Sequence, residues 1–171
     1  MAVGMMRRVA DNLLLRAGGP DIARQYGAIP YTVVKNQVVF LLVTSRRTGR
    51  WIFPKGDPME GLAPFEAAAQ EAAEEAGVEG EIDPHPIGAY RTFKTLPFRR
   101  SVIHVEMYGL RVTRQFDDWP EKSRRHRHWA ILPEAKRLLS DAGVASLAAR
   151  YSARLRLQGL PSYPPIDHIT R

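Results

Sequence analysis

The chain has 171 residues, 44% hydrophobic and 25% charged, which suits one domain of ordinary size whose core needs no disulfide or structural metal. Its 25 Lys and Arg against 18 Asp and Glu give a formal net charge of +7, pointing to an anionic partner such as a polyphosphate, nucleic acid or an acidic membrane surface. Cysteine is absent, which excludes thiolate metal sites and a cysteine nucleophile and leads us to expect a reducing compartment, the cytoplasm.

Residues 1–20 read as an N-terminal appendage with a short amphipathic helix over 5–16, stopped by Gly18-Gly19-Pro20. Asp11, Asn12 and Arg16 interrupt its apolar stretch, so no signal peptide is expected. A single domain is expected over 21–158. Residues 26–34 and 37–44 are rich in β-branched and aromatic side chains, and Lys35-Asn36 between them predicts a hairpin turn. The longest apolar run, Val38 to Val43, is about a third of a membrane-spanning helix and reads as a buried strand. Trp51-Ile52-Phe53 reads as a third strand closed by Pro54 and Gly56.

The segment 64–76 is Ala- and Glu-rich with no internal Gly or Pro. Pro64 suits a first helical position, where its missing N–H is no loss, and Gly77 suits a C-terminal cap. Strands are predicted over 80–94 and 101–113, with alternation across Val102 to Tyr108. Trp129-Ala130-Ile131 predicts a further strand, and 133–140 and 144–157 closing helices. The tail from Gly159, with Pro161, Pro164 and Pro165, is expected to be extended. No internal repeat is present.

At 3.6 residues per turn, Glu71, Glu74 and Glu75 fall within roughly 100° of one another, while Phe65, Ala68, Ala72 and Ala76 form another face. Three acids this close repel unless a cation or basic neighbour compensates, and oxygen-only ligands suit Mg²⁺ or Mn²⁺. The segment Gly56-x5-Leu62-x7-Gln70-Glu71-Ala72-x-Glu74-Glu75-x-Gly77-Val78 resembles the box of the Nudix hydrolases, Gly-x5-Glu-x7-Arg-Glu-U-x-Glu-Glu-x-Gly-U, with U aliphatic. The resemblance implies an α+β fold: an α/β/α sandwich with a mixed central sheet and a catalytic loop-helix-loop. It implies a Mg²⁺ or Mn²⁺ site on Glu71, Glu74, Glu75 and the backbone carbonyl of Lys55, with Gly56, Gly61, Gln70 and Gly77 as structural positions of the motif. The metals would orient the diphosphate and activate the attacking water. Two positions depart from the pattern. Leu62 replaces the first glutamate, and Gln70 replaces the arginine that normally pairs with carboxylates of the helix, so the acid cluster is expected to be more negative and more dependent on metal.

The stretch Thr44 to Gly56 is similar to the segment before the box in diphosphoinositol polyphosphate phosphohydrolases and dinucleoside polyphosphate hydrolases. That similarity implies hydrolysis of a diphosphate linkage in an inositol pyrophosphate or a dinucleoside polyphosphate. Basic residues collect in Arg46, Arg47 and Arg50, in Lys94 with Arg99 and Arg100, and in Arg124, Arg125 and Arg127, and with Lys55 these are the candidate substrate contacts. Tyr90, Phe93 and Phe98 are available as a base platform, but aromatics in strand-like sequence are more often core. For a further acid, Glu121 in Trp119-Pro120-Glu121 ranks above Glu106 in the 101–113 strand, and Glu121 joins the three box glutamates as a catalytic candidate. Two other functions stay open: a general nucleotide or nucleotide-sugar pyrophosphatase, and a catalytically weakened module that binds RNA or a nucleotide signal.

Overall fold

The computed structural model describes residues 22–96 and 99–160, with side chains left out of the description over 94–100. The helix expected over 5–16 and the tail beyond Leu160 lie outside the described residues. In chain order the elements are β1 (Ala23–Val34), β2 (Gln37–Thr44), β3 (Trp51–Ile52), β4 (Lys55–Gly56), α1 (Pro64–Ala76), β5 (Val78–Leu96), β6 (Arg99–Gln115), β7 (Arg127–Ile131), α2 (Leu132–Leu138) and α3 (Ala142–Leu157).

The predicted hairpin forms, with Val34 opposite Gln37. Lys35 and Asn36 both take positive φ, 48° and 61°, the two-residue turn whose twist matches the flanking strands. The main sheet path runs β3-β2-β1-β6-β5, with β4 pairing β1 and β7 pairing β2. Strands β1 and β6 are parallel and the remaining pairs antiparallel, so the sheet is mixed.

Period-two alternation sends side chains to two cores. Ile29, Phe40, Leu42, Val105 and Met107 pack under α2 and α3 with Leu147 and Tyr151. Ala28, Leu41, Val43, Tyr108 and Leu110 pack on the opposite face against Ala68, Ala72 and Ala76 of α1. Helices on both faces make the α/β/α sandwich, and each fully buried Phe or Leu contributes about 1.5–3 kcal/mol relative to exposure. Alanine on the inner face of α1 lets the helix axis lie close to the sheet, which brings the glutamates on its flank near the ends of β1, β2 and β4.

The third strand differs from expectation. Phe53 is a buried core residue outside it, and Lys55–Gly56 instead pairs with β1, Tyr26 opposite Gly56 and Gly27 opposite Lys55. Pro54, without an N–H, interrupts the ladder while its carbonyl accepts from Ala28 N at 3.0 Å. The first glycine of the box therefore sits in the sheet rather than in a loop.

Candidate active site

Helix α1 begins at Pro64, with Glu66 reaching back to accept from Ala63 N at 2.8 Å, and ends at Gly77 in the left-handed conformation (φ 64°, ψ 43°). Its buried residues are Ala67, Ala68, Ala72, Ala76 and, unexpectedly for a comb of solvated acids, Glu75. Glu75 sits on the sheet-facing flank and is 7% exposed.

A buried carboxylate must be paired and hydrogen-bonded, and Glu75 is both. Arg125, 6% exposed, forms an ion pair with its Oε1, and Lys55 N donates to Oε2 at 3.3 Å. The same guanidinium donates through Nη1 to Thr44 O at 2.8 Å and through Nε to Glu121 Oε2. Glu121 Oε1 faces Arg46 at 3.4 Å, and Glu121 N donates to Glu74 O at 3.2 Å. Burial pushes the Glu75 carboxyl up to about 7, against the pull of Arg125. Burial also raises Glu71, helped by the negative charges of Glu74 and Glu121. Lys55 is lowered, again chiefly by burial.

Glu71 is half-buried over β4. A Cβ on Gly56 would collide with the Glu71 carboxyl group, so the glycine leaves the space that the carboxylate fills. On the outer side, Gln70 Nε2 donates to Glu74 Oε1 at 2.7 Å. These acids and the Lys55 backbone form an all-oxygen donor set of the kind hard divalent cations take. Among the described residues no three Asp, Glu or His side chains are already gathered at metal-holding spacing, and Arg125 and Lys55 N each hold one oxygen of Glu75. Each carboxylate oxygen keeps a second lone pair, so these contacts leave Glu75 able to ligate. The donor chemistry fits a divalent cation, and the raised Glu71 and Glu75 carboxyls mark a site that a further positive charge would stabilise in its ionised form.

A model described as "NUDIX domain" matches residues 24–149. The chain belongs to the Nudix family. It is 33% identical over 135 residues to "Nudix hydrolase 12, mitochondrial" of Arabidopsis thaliana, covering 66% of this chain and 64% of that one. It is 31% identical over 126 residues to human "Diphosphoinositol polyphosphate phosphohydrolase 3-alpha", covering 72% of each. This chain spans 64%, 58% and 64% of the lengths of the Arabidopsis Nudix hydrolases numbered 12, 4 and 13. Among solved structures, a binary complex of the C. elegans Ap4A hydrolase superposes with a TM-score of 0.61 at 22% identity, over 79% of this chain and 98% of that one. The NUDIX domain of Shewanella oneidensis NrtR, complexed with ADP ribose, gives 0.60 at 15% identity, over 82% and 97%. These two likenesses show the Nudix fold.

On the face of the sheet that carries α3 lies a cleft of about 570 Å³, lined among others by Arg47, Arg50, Lys55, Trp51, Tyr90 and Phe93. Lys55 joins cleft and helix: its side chain lines the one, with Nζ donating to Gln25 Oε1 at 2.7 Å, and its N–H holds Glu75 of the other. Its N–H touches the Nudix glutamate Glu75, a contact separate from the metal-ligand role expected of its carbonyl. Arg124 is exposed on the loop before β7. Lys94, Arg99 and Arg100 occupy the paired ends of β5 and β6, their side chains outside the described residues, and Phe98 lies outside them altogether. Leu62 is 42% exposed and Gly61, at φ 79°, stands in open space.

Two candidate substrate contacts have other occupations. Arg125 is walled in by Glu75, Glu121 and Thr44. Arg127 donates to Ala76 O at 3.0 Å and stacks 4.0 Å from the Trp119 ring, closing the C-terminal end of α1. Both were expected on the basic surface, but the β2–β7 ladder, Val43 opposite Arg127, folds that stretch inward. Where Gln70 brings no charge, Arg125 supplies one to the acid cluster from another element. Glu106 accepts from the Tyr108 hydroxyl, whereas Glu121 is among the charges that raise Glu71. Sequence reasoning missed Gln25 and Asp57, which link to each other at 3.0 Å beside Lys55, and the Thr44 carbonyl. Asp57 carried a signal in its place next to Gly56; Gln25 and Thr44 carried none.

Proposed function

We propose that this chain is a divalent-metal-dependent pyrophosphohydrolase that splits a diphosphate linkage in a dinucleoside polyphosphate by attack of water at phosphorus. The single Nudix domain is taken as residues 21–158 and its compartment, on the absence of cysteine, as the cytoplasm. The observation that carries the reading is the junction at Lys55, where a buried glutamate of the Nudix helix and a basic, aromatic-walled cleft meet on one residue. Glu71, Glu74, Glu75 and the Lys55 carbonyl would hold Mg²⁺ or Mn²⁺. When bound, the cation would neutralise phosphate charge and lower the pKa of the attacking water. Glu121, on the loop docked to Glu74, is the base candidate, positioned by Arg125 and Arg46. Arg46, Arg47, Arg50 and Lys55 would meet phosphates.

The aromatic side of the cleft favours a nucleotide end over an inositol ring. Trp51, Tyr90 and Phe93, the last 56% exposed, offer flat apolar faces to a base beside Arg47 and Arg50. A ring studded with phosphates would gain nothing from those faces and would meet Asp141, which also lines the cleft.

The test is a hydrolysis screen with Mg²⁺ or with chelator, covering dinucleoside polyphosphates, inositol pyrophosphates, nucleoside triphosphates, nucleotide sugars and capped RNA. Dinucleoside polyphosphates should turn over fastest, only with metal, and Glu75→Gln should lose at least about 100-fold. Unchanged turnover in Glu75→Gln sinks the site assignment. Faster inositol pyrophosphate hydrolysis overturns the substrate choice, and salt-sensitive RNA binding without turnover overturns the enzyme reading.

A further inference from the structure

The Nudix pattern places an arginine where this chain has Gln70, yet the structure shows a guanidinium at the acid cluster. We propose that Arg125 is the positioning residue of the carboxylate site, supplying from the loop before β7 the charge that position 70 lacks. The proposal rests on the reading of Glu71, Glu74 and Glu75 as a divalent-metal site.

Gln70 carries no charge and its amide is spent on Glu74, at 2.7 Å, so position 70 brings no positive charge to the acid cluster. Arg125 provides it in a form no other side chain matches. Three N–H groups of one rigid planar fork reach three acceptors: Glu75 Oε1 on α1, Glu121 Oε2 on the loop and Thr44 O at the end of β2, the last at 2.8 Å. With Lys55 N on the other oxygen at 3.3 Å, the plane of the Glu75 carboxylate is fixed from both sides. A pair serving burial alone would need only Glu75; the grip on Glu121 ties a second acid to the same frame, and Glu121 turns its other oxygen to Arg46 at 3.4 Å.

The frame is anchored independently of the acids. Phe116 N donates to Gly77 O at 2.9 Å and Glu121 N to Glu74 O at 3.2 Å, so the loop is hydrogen-bonded to the end of α1. Trp119 lies against Gly77, with the Arg127 guanidinium 4.0 Å from its ring on the way to Ala76 O. On the far side, Thr44 N donates to His126 O at 2.9 Å and His126 N to Thr44 Oγ1 at 2.9 Å, which holds the residue after Arg125 to β2. Arg125 is thus held between two fixed elements, and the carboxylates take their orientation from it.

The experiment compares Arg125→Lys with the parent and with Arg137→Gln, an exposed arginine on α2, by Mn²⁺ affinity (electron paramagnetic resonance), thermal melting, and kcat and KM on a dinucleoside polyphosphate. Lysine keeps the charge but reaches one acceptor, so the folded variant should lose about 10- to 100-fold in Mn²⁺ affinity and a similar factor in kcat, with KM within about threefold. Arg137→Gln should change neither. A folded Arg125→Lys whose Mn²⁺ affinity stays within threefold of the parent overturns the proposal. If the variant does not fold, the Arg125 Nε–H resonance of the parent decides: slow solvent exchange and a shift on Mg²⁺ titration support the role, and a signal unmoved by saturating Mg²⁺ refutes it. Mn²⁺ binding that depends on Arg125 in a parent without hydrolytic activity would defeat the functional reading and leave this one standing.

Discussion

A methyl group added at Gly56 should separate the activity of this protein from its stability. The Cβ of Gly56→Ala would overlap the Glu71 carboxyl group and lie 2.7 Å from its Oε2, where ordinary contact begins at 3.4 Å. Pro54 and β1 fix the backbone there, so the carboxyl group, at the end of a rotatable side chain, is what gives way. It must retreat by on the order of 1 Å, enough to cost about 100-fold in rate when the displaced group orients a reaction. The fold has little to lose. Gly56 is not among the glycines with positive φ, and Ala narrows the unfolded ensemble by roughly 0.4–1 kcal/mol, offsetting the strain of a shifted Glu71. The assay pairs phosphate release from a dinucleoside polyphosphate, at saturating and at limiting Mg²⁺, with thermal melting. Turnover should fall about 100-fold while the melting temperature moves by no more than a few degrees. Turnover within threefold of the parent would show that Glu71 is not where the chemistry happens; a collapse of the melting temperature would show that its carboxyl group supports the fold instead.

Gly77→Ala is expected to act through the fold. Its φ of 64° costs a non-glycine residue about 1–2 kcal/mol, and Trp119 Cγ lies only 2.8 Å from the added carbon, so the urea midpoint should drop and turnover with it. Protons and divalent cations compete for Glu75, whose carboxyl is raised to about 7, so Mn²⁺ affinity measured by titration should weaken as pH falls from 8 to 6. In the metal-free protein the sign reverses. A folded carboxyl that binds its proton more tightly than the unfolded chain contributes stability at low pH that is lost as pH rises through about 7, so parent stability minus that of Glu75→Gln should decline across this range. Phe93→Ala should raise KM for dinucleoside polyphosphates several-fold with little change for inositol pyrophosphates, whereas Arg50→Gln should raise it for both.

The hairpin of β1 and β2, helix α1 with Pro64 at its start and Gly77 at its end, and the two-faced alternation of β6 were legible because each is set by nearby residues. Turn chemistry, capping and periodicity act over a few positions, and the Nudix spacing adds a fixed order of acids on one helix. Sequence therefore determined the fold class, the family and the glutamates of the candidate site. The strand at Lys55–Gly56 was less legible, since two residues carry no periodicity and only pairing with β1 makes them a strand. Which basic residues line the cleft was not legible at all. Arg47 and Arg50 line the cleft, while Arg125 and Arg127, indistinguishable from them in a polar run, are turned inward by the β2–β7 ladder and by the docking of Trp119 on Gly77. Tertiary structure alone decided that Glu75 is buried, that its counter-charge comes from 50 residues away, and that the chain lacks an arginine at position 70 without lacking one at the site. The reason is physical: local sequence sets what a segment can form, but the environment of a charge depends on every element packed around it.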